Sequence, residues 1–146
     1  MEAGADTENV NKRLYESKSA NEVVATKLTL NGMNICRQGT VVVFSITNKL
    51  KEENGLTDED FGGVIDILRE IDGVELAITV RQLTDKPEKF KISMRSSGDV
   101  RANELCAMFD GGGHFKAAGG SLTAESAEAA EYTVIHRVLD KIGYGV

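Results

Sequence analysis

Four consecutive apolar residues, Val41-Val42-Val43-Phe44, restrict the fold of this chain more than any other feature. A strand with one face in water alternates apolar and polar residues, so an unbroken apolar run is typical of a strand buried inside a sheet. Residues 33–37 and 40–47 flank the turn-forming pair Gln38-Gly39. This arrangement predicts a hairpin that leads into a central strand.

Two further segments have the period-two pattern of strands. Residues 74–81 alternate apolar with other side chains, and residues 89–95 place Phe90, Ile92 and Met94 on one face. The loop that contains Lys86-Pro87 joins them as a second hairpin. Residues 121–123 are expected to form a short edge strand.

Helical spacing recurs between these strands. Residues 57–71 combine a capping box at Thr57 and Asp60 with apolar residues three and four apart, and residues 20–30 carry Val23 and Val24. Residues 102–109 and 125–142 also have helical periodicity. Hairpin strands mixed with helices predict an α/β fold, in which one mixed sheet is covered by helices.

Composition limits the class of protein. A chain of 146 residues is expected to form one compact domain, and two cysteines are too few for a disulfide framework or a four-cysteine zinc site. The sequence has no signal peptide and no apolar run of about 20 residues, so we expect a cytoplasmic protein with reduced thiols. The net charge is −6, but residues 81–116 carry +2 and the remaining residues −8. Positive charge is therefore concentrated in one segment.

Five of the fifteen glycines lie between Gly111 and Gly120. The triplet Gly111-Gly112-Gly113 allows backbone N–H groups to converge on an anion, and a short helix beginning near His114 would add its dipole. His114 can donate a hydrogen bond to the anion. The alternative is a glycine hinge with a histidine in solvent. The spacing fits neither a P-loop nor a dinucleotide-binding motif.

A row of basic and hydroxyl side chains lies on the polar face of the strand at residues 89–95. Lys89, Lys91, Ser93 and Arg95 share that face, and Ser96 follows. For the lysines alone the favoured interpretation is a solvated outer face, whereas Arg95, just before a polar turn, favours a phosphate contact. Since we find no His-Glu-x-x-His motif, no Gly-x-Ser-x-Gly motif and no metal-ligand spacing, the sequence has binding groups without a catalytic set.

Several motifs occur together in a familiar order. They are Lys91-Ile92-Ser93-Met94-Arg95-Ser96, Asp99-Val100, Leu105-Cys106-Ala107-Met108-Phe109, and Gly111-Gly112-Gly113-His114 with Ala117-Ala118-Gly119. This combination resembles the DHH-associated C-terminal domain of the DHH phosphoesterase superfamily. It is most similar to the type found in bacterial oligoribonucleases and phosphoadenosine-phosphate phosphatases, also described as exopolyphosphatase-related. The resemblance covers about residues 20–146.

The resemblance implies a division of labour between two domains. In that family a DHH domain holds a divalent metal, usually manganese, and hydrolyses a phosphate ester, while the associated domain binds the substrate. It implies that Arg95, with Ser93 and Ser96, contacts a substrate phosphate, that Gly111, Gly112 and Gly113 shape a backbone pocket, and that His114 reaches into the cleft between the domains. No Asp-His-His motif is present, so we expect residues 1–19 to be the last helix and linker of a missing DHH domain. The metal would lie in that domain and not in this chain.

The implied partners are a nucleotide or short single-stranded RNA and the missing DHH domain of the same polypeptide, with no membrane. A homodimer stays open. So does the substrate, which could be short RNA, a linear dinucleotide, phosphoadenosine phosphate or polyphosphate. Two rival functions are a non-catalytic RNA-binding or self-association module, like that of alanyl-tRNA synthetases, and a small-ligand regulatory domain.

Overall fold

The computed structural model describes residues 19–145, so the helix and linker expected at residues 1–19 lie outside the described residues except for Ser19. The helices are α1 (Ala20–Gly32), α2 (Asn48–Asn54), α3 (Val64–Arg69), α4 (Ala102–Ala107) and α5 (Ala127–Ile142). The strands are β1 (Asn34–Cys36), β2 (Val41–Ile46), β3 (Leu76–Gln82), β4 (Lys89–Ser96), β5 (Gly112–His114) and β6 (Ala117–Thr123).

The strands form one six-stranded sheet in the order β1-β2-β3-β4-β6-β5. β2 and β3 pair in parallel, and every other neighbouring pair is antiparallel. The two predicted hairpins, β1–β2 and β3–β4, are both present. The α/β prediction of a mixed sheet with hairpins covered by helices is confirmed.

The apolar run in β2 is continuous because both of its faces are buried. Val41 and Val43 enter a core cluster that also contains buried residues of α4 and α5, such as Leu105 and Val134. Val42 and Phe44 enter a second cluster on the opposite face. The second cluster also takes in Ala25 of α1, Phe61, and Val64, Ile65 and Leu68 of α3.

The two faces of the sheet are not covered to the same extent. The first cluster includes residues of β2, β3, β4 and β6, whereas the second draws its buried strand residues from β2 and β3 alone. On that second side, β4, β6 and β5 carry polar or small residues. We call this uncovered part of the sheet the polar face.

The helix predicted over residues 20–30 is confirmed as α1, although Val23 and Val24 are 55% and 38% exposed and the helix buries the small residues Ala25 and Thr29 instead. The Thr29 hydroxyl donates to the Ala25 carbonyl oxygen at 2.7 Å. Two other predictions about individual elements were wrong in detail. The helix predicted over residues 57–71 is a 3₁₀ turn at Asp58–Phe61, then the glycine pair at residues 62–63, then the short α3. Residues 121–123 belong to β6, which is seven residues long and lies inside the sheet.

Helix α2 was not predicted, because its sequence has no clear apolar stripe. Thr47 caps it by accepting a hydrogen bond from the Leu50 backbone N–H at 3.0 Å. The capping box predicted at Thr57 is confirmed, since the Thr57 N–H donates to Asp60 Oδ2 at 2.8 Å. Both caps satisfy backbone donors at helix starts.

Both cysteines are free thiols. Burial raises the pKa of Cys106 to about 11, and the nearby charge of Arg95 opposes this rise. The pKa of Cys36 is also raised, mainly by burial and in addition by the negative charge of Glu131. Both thiols therefore stay protonated at neutral pH. Within residues 19–145, no helix combines the length and the apolar character needed to cross a bilayer.

A buried ion pair connects the helices of the second face to the sheet. Lys51 of α2 is only 5% exposed, and its ammonium lies 2.6 Å from Asp58 Oδ1. The other oxygen of Asp58 accepts from Arg81 of β3 at 2.8 Å. Asp58 thus neutralises a buried lysine and orients an arginine at the same time.

We expect Asp58→Asn to lower the free energy of unfolding by about 2 kcal/mol, because it leaves the Lys51 ammonium buried without a counter-ion. The loss is smaller than for a fully buried pair, since the Asp58 carboxylate is partly exposed and solvent screens its charge. Urea denaturation measures the change. Glu53→Gln is the matched control: Glu53 pairs with Lys49 on the surface at 4.0 Å, so its loss should cost no more than about 0.5 kcal/mol. Equal effects of the two variants would contradict the assigned role of Asp58.

Candidate functional site

Arg95 and His114 lie in one row across the polar face. Arg95 of β4 pairs with Ala117 of β6, and Ala117 pairs with His114 of β5. Paired residues of antiparallel strands project from the same side of a sheet. The two side chains therefore start two strand spacings apart, about 10 Å, with only the methyl group of Ala117 between them.

The next row along the strands is almost free of side chains. Ser93 pairs with Gly119, and Gly119 pairs with Gly112. The hydroxymethyl group of Ser93 is the largest side chain in this row of three. The structure thus brings Ser93, Arg95, Gly112 and His114 to one face, with a low floor beside the arginine and the histidine.

Ser96 lies apart from this group. It is 1% exposed and follows Arg95 in β4, so its side chain projects from the opposite side of the sheet. Its hydroxyl donates to the Phe115 carbonyl oxygen at 3.1 Å, and its backbone N–H donates to the Lys116 carbonyl oxygen at 2.9 Å. Ser96 holds the turn between β5 and β6 and does not reach the polar face.

Gly111 and Gly113 permit close backbone packing. A Cβ at Gly111 would lie 1.9 Å from the Gly119 carbonyl oxygen, and one at Gly113 would lie 2.9 Å from the Ala117 carbonyl oxygen. Gly113 also has a φ of 141°, a conformation that L side chains rarely adopt. In contrast, a Cβ at Gly112 would meet nothing within 4 Å. Two of the three glycines are therefore required by the approach of β5 to β6.

The prediction of a short helix beginning near His114 was wrong. Residues 112–114 are instead the edge strand β5, which turns at residues 115–116 into β6. The close approach that the glycines permit favours strand pairing over a helical turn. Alternate residues of an edge strand point their backbone N–H and C=O groups away from the sheet. Any backbone N–H groups that are free to bind an anion here therefore belong to the outer edge of β5 and not to the start of a helix.

The hydrogen bonds of His114 fix which ring nitrogen can act as a donor. The Lys116 backbone N–H donates to His114 Nδ1 at 3.1 Å. Because Nδ1 accepts, the hydrogen of the neutral ring is on Nε2. The Phe115 ring packs beside the imidazole with the centroids 4.3 Å apart. The exposed His114 thus presents an Nε2–H donor.

Arg95 keeps most of its donors available. Its Nη1 donates to the Met94 carbonyl oxygen at 3.1 Å, and its Nε lies 3.7 Å from Asp66 Oδ1. Asp66 is 59% exposed, so this ion pair is screened by water and weak. A guanidinium has five N–H donors and can bind two oxygens of a phosphate at once.

Sequence reasoning did not single out Arg81 as a site residue. Arg81 of β3 pairs with Lys91 of β4, which pairs with Ser121 of β6, so a third row continues the polar face. The signal was present in the sequence, because a β3–β4 hairpin in this register places Arg81 beside Lys91. The face therefore carries one cation more than the basic row of β4 alone.

The described residues do not fit a resident metal. Between residues 19 and 145, no three or more His, Cys, Asp or Glu side chains come close enough together to hold a metal ion.

Comparison with known proteins gives a consistent result. The family model described as the DHHA1 domain matches residues 34–140. The bifunctional oligoribonuclease and PAP phosphatase NrnA of Thermus thermophilus is 29% identical over 97 residues, which are 66% of this chain and 29% of that protein.

Solved structures resemble the chain as well. An exopolyphosphatase-related protein from Bacteroides fragilis has a TM-score of 0.77 and 27% identity, over 94% of this chain and 39% of that one. The pGpG-specific phosphodiesterase PggH from Vibrio cholerae shares the fold, with a TM-score of 0.57 and 17% identity over 82% of this chain and 39% of that one. The chain spans less than half the length of each of these proteins.

We expect Gly111→Ala to lower the free energy of unfolding by about 3 kcal/mol, because the new methyl group would have to push two backbones apart. Gly112→Ala is the control in the same strand, and we expect it to change stability by no more than about 0.5 kcal/mol, since the position is open. Thermal and urea denaturation of the two variants measure the difference. A Gly111→Ala variant as stable as the Gly112→Ala variant would contradict the packing role of Gly111.

Proposed function

The chain belongs to the DHHA1 domain family, and from that membership we propose that it is the phosphate-binding domain of a two-domain DHH phosphoesterase. In this proposal the enzyme hydrolyses short oligonucleotides or nucleotide phosphates. The observation that carries the proposal is the row of Arg95, Ala117 and His114 on the uncovered face of the sheet.

The geometry of that row suits a phosphate group. Arg95 supplies a charged donor pair, and His114 supplies an Nε2–H donor from the far side of Ala117. The methyl group of Ala117 and the hydroxymethyl group of Ser93 leave room for the anion between the two donors. Hydrogen bonds from a charged donor contribute about 1.5–3 kcal/mol each, so Arg95 is proposed as the principal contact.

The site binds and orients, and bond cleavage is assigned elsewhere. The row contains no nucleophile paired with a base, and its groups neutralise and position a phosphate ester. We assign hydrolysis to a DHH domain with its divalent metal, of the manganese type, in the same polypeptide. The lengths of the relatives support this assignment. The chain covers at most 39% of each relative, so more than 60% of each one lies outside the matched part.

Nucleotides are the proposed substrate class. NrnA of Thermus thermophilus is named as an oligoribonuclease and PAP phosphatase, and PggH as a pGpG-specific phosphodiesterase. Their named substrates share a phosphate ester on a nucleoside. We therefore propose a nucleotide or a short single-stranded RNA as the ligand of the polar face.

We expect Arg95→Gln to weaken binding of the dinucleotide pApA by at least about tenfold, because it removes the charge-assisted contact with the phosphate. His114→Phe keeps a ring beside Phe115 but removes the Nε2–H donor, and we expect about a fivefold loss. Isothermal titration calorimetry with this chain measures both dissociation constants.

Arg137→Gln is the control for the lost charge. Arg137 is in α5, on the opposite side of the sheet, where its guanidinium donates to the Met108 carbonyl oxygen at 3.2 Å. We expect its binding of pApA to equal that of the unmodified chain. If Arg95→Gln and Arg137→Gln bound pApA equally well, Arg95 would be a surface charge and the proposal would fail.

We expect the 146-residue chain to release no AMP from pApA in the presence of Mn²⁺, because the described residues supply no metal site. Chromatography of the reaction products measures this. The Arg95→Gln variant, purified in parallel, reveals any contaminating nuclease. Turnover by the unmodified chain that Arg95→Gln abolishes would overturn the assignment of cleavage to another domain.

A further inference from the structure

A cavity continues the polar face beyond the row of Arg95 and His114. It has a volume of about 750 Å³. Arg81, Lys89 and Lys91 contribute three cations to its lining, and Ser121 and Thr123 contribute two hydroxyl groups. The proposed contacts of Arg95 and His114 with a phosphate leave these three cations without a role.

The distance along β4 separates the lysines of the cavity from the first row. Lys91 and Arg95 are four residues apart in one strand, which corresponds to about 14 Å. A single phosphate cannot contact both ends. Between them lies the low row of Ser93, Gly119 and Gly112, so no large side chain separates the two ends of the face.

The charges of the cavity are available to an anion. Lys89 and Lys91 are exposed, and neither has an ion-pair partner in the part of the chain that the structure describes. Arg81 is held in place by Asp58, whose charge it shares with the buried Lys51. Asp110 also lines the cavity and is the one carboxylate there, so the lining is positive overall.

The size and chemistry of the cavity suit more than a bare phosphate. Its volume lies within the range of pockets that hold whole small molecules, about 300–1,000 Å³. Leu83 adds a partly exposed apolar side chain beside Lys89, which suits the face of a nucleobase. The hydroxyls of Ser121 and Thr123 suit a sugar or a phosphate ester.

We propose that this cavity is a second subsite of the polar face, in which Lys89 and Lys91, with Arg81, bind a phosphate of a single-stranded oligonucleotide about two nucleotides away from the phosphate at Arg95. The inference rests on the proposed function, because it takes the Arg95 row as the first subsite. The two subsites together select ligands by length. Strands that reach both ends bind more tightly than a dinucleotide, which occupies only the first.

The test uses the double variant Lys89→Gln/Lys91→Gln of this chain. Fluorescence anisotropy with 5′-phosphorylated, 3′-fluorescein-labelled hexa-adenylate and pApA measures the dissociation constants over a range of salt concentrations. For hexa-adenylate at low salt we expect about a tenfold weaker affinity, and a slope of log K against log salt that is smaller by about 1.4, because two phosphate contacts are lost from a single strand. For pApA we expect affinity within about twofold of the unmodified chain.

Lys27→Gln/Lys141→Gln is the matched control. It removes two exposed lysines from α1 and α5, gives the same net charge, and should leave both ligands unaffected. Three results would overturn the proposal: no binding of hexa-adenylate by the unmodified chain, equal losses for the two ligand lengths, or the same loss in the control variant. Inorganic polyphosphate of matched charge is the competitor, and if it displaced the labelled strand as well as unlabelled hexa-adenylate does, the site would bind bare phosphate chains instead.

Arg95→Gln separates this inference from the proposed function. If both hold, that variant weakens hexa-adenylate and pApA alike, whereas the lysine variant affects hexa-adenylate alone. If Arg95→Gln changed neither ligand while the lysine variant still weakened hexa-adenylate, the proposed role of Arg95 would fail and the second subsite would stand. If only Arg95→Gln weakened binding, the second subsite would fail.

Discussion

The register of β4 between its two neighbours is the constraint on which both the core and the polar face depend. Phe90, Ile92 and Met94 are almost completely buried on one side of this strand. A slip of one residue would move them into water and bring the charged side chains into the core. Burial of three large apolar side chains stabilises the correct register by several kcal/mol, at about 1.5–3 kcal/mol each. The same register sets the position of every charged residue on the other side of the strand.

Much of this arrangement could be predicted from the sequence, because β3 and β4 alternate strictly and β2 is continuously apolar. Ser96 shows the limit of the motif: it follows Arg95 directly, yet the period of two turns it away from the polar face. β5 was missed because Gly112 and Gly113 carry no side chains and so have no periodicity. Its strand conformation depends on close contact with β6, and such a nonlocal contact leaves no local pattern in the sequence.

Charge is also distributed according to the fold. The chain is acidic overall, with a net charge of −6, yet the polar face gathers five side chains that can bind an anion: Arg81, Lys89, Lys91, Arg95 and His114. Acidic residues elsewhere repel polyanions, which favours approach of the proposed ligand to this face. The small residues of β6 and β5 form a flat floor that leaves room for that ligand beside the cations.

The helices that cover β2 and β3 also set the border of the polar face. Asp58, in the 3₁₀ turn, holds Arg81 at 2.8 Å and is itself anchored by a buried lysine. Asp66, on α3, lies 3.7 Å from Arg95 and is mostly exposed. The first pair is short and fixed, whereas the second is long and screened by water. In the binding mode that we propose, a phosphate therefore displaces Asp66 from Arg95 at little cost, while Arg81 keeps its carboxylate and contributes an oriented edge of the guanidinium. The two arginines of this border thus differ: Arg95 is free to turn toward the proposed ligand, and Arg81 is a fixed part of the surface.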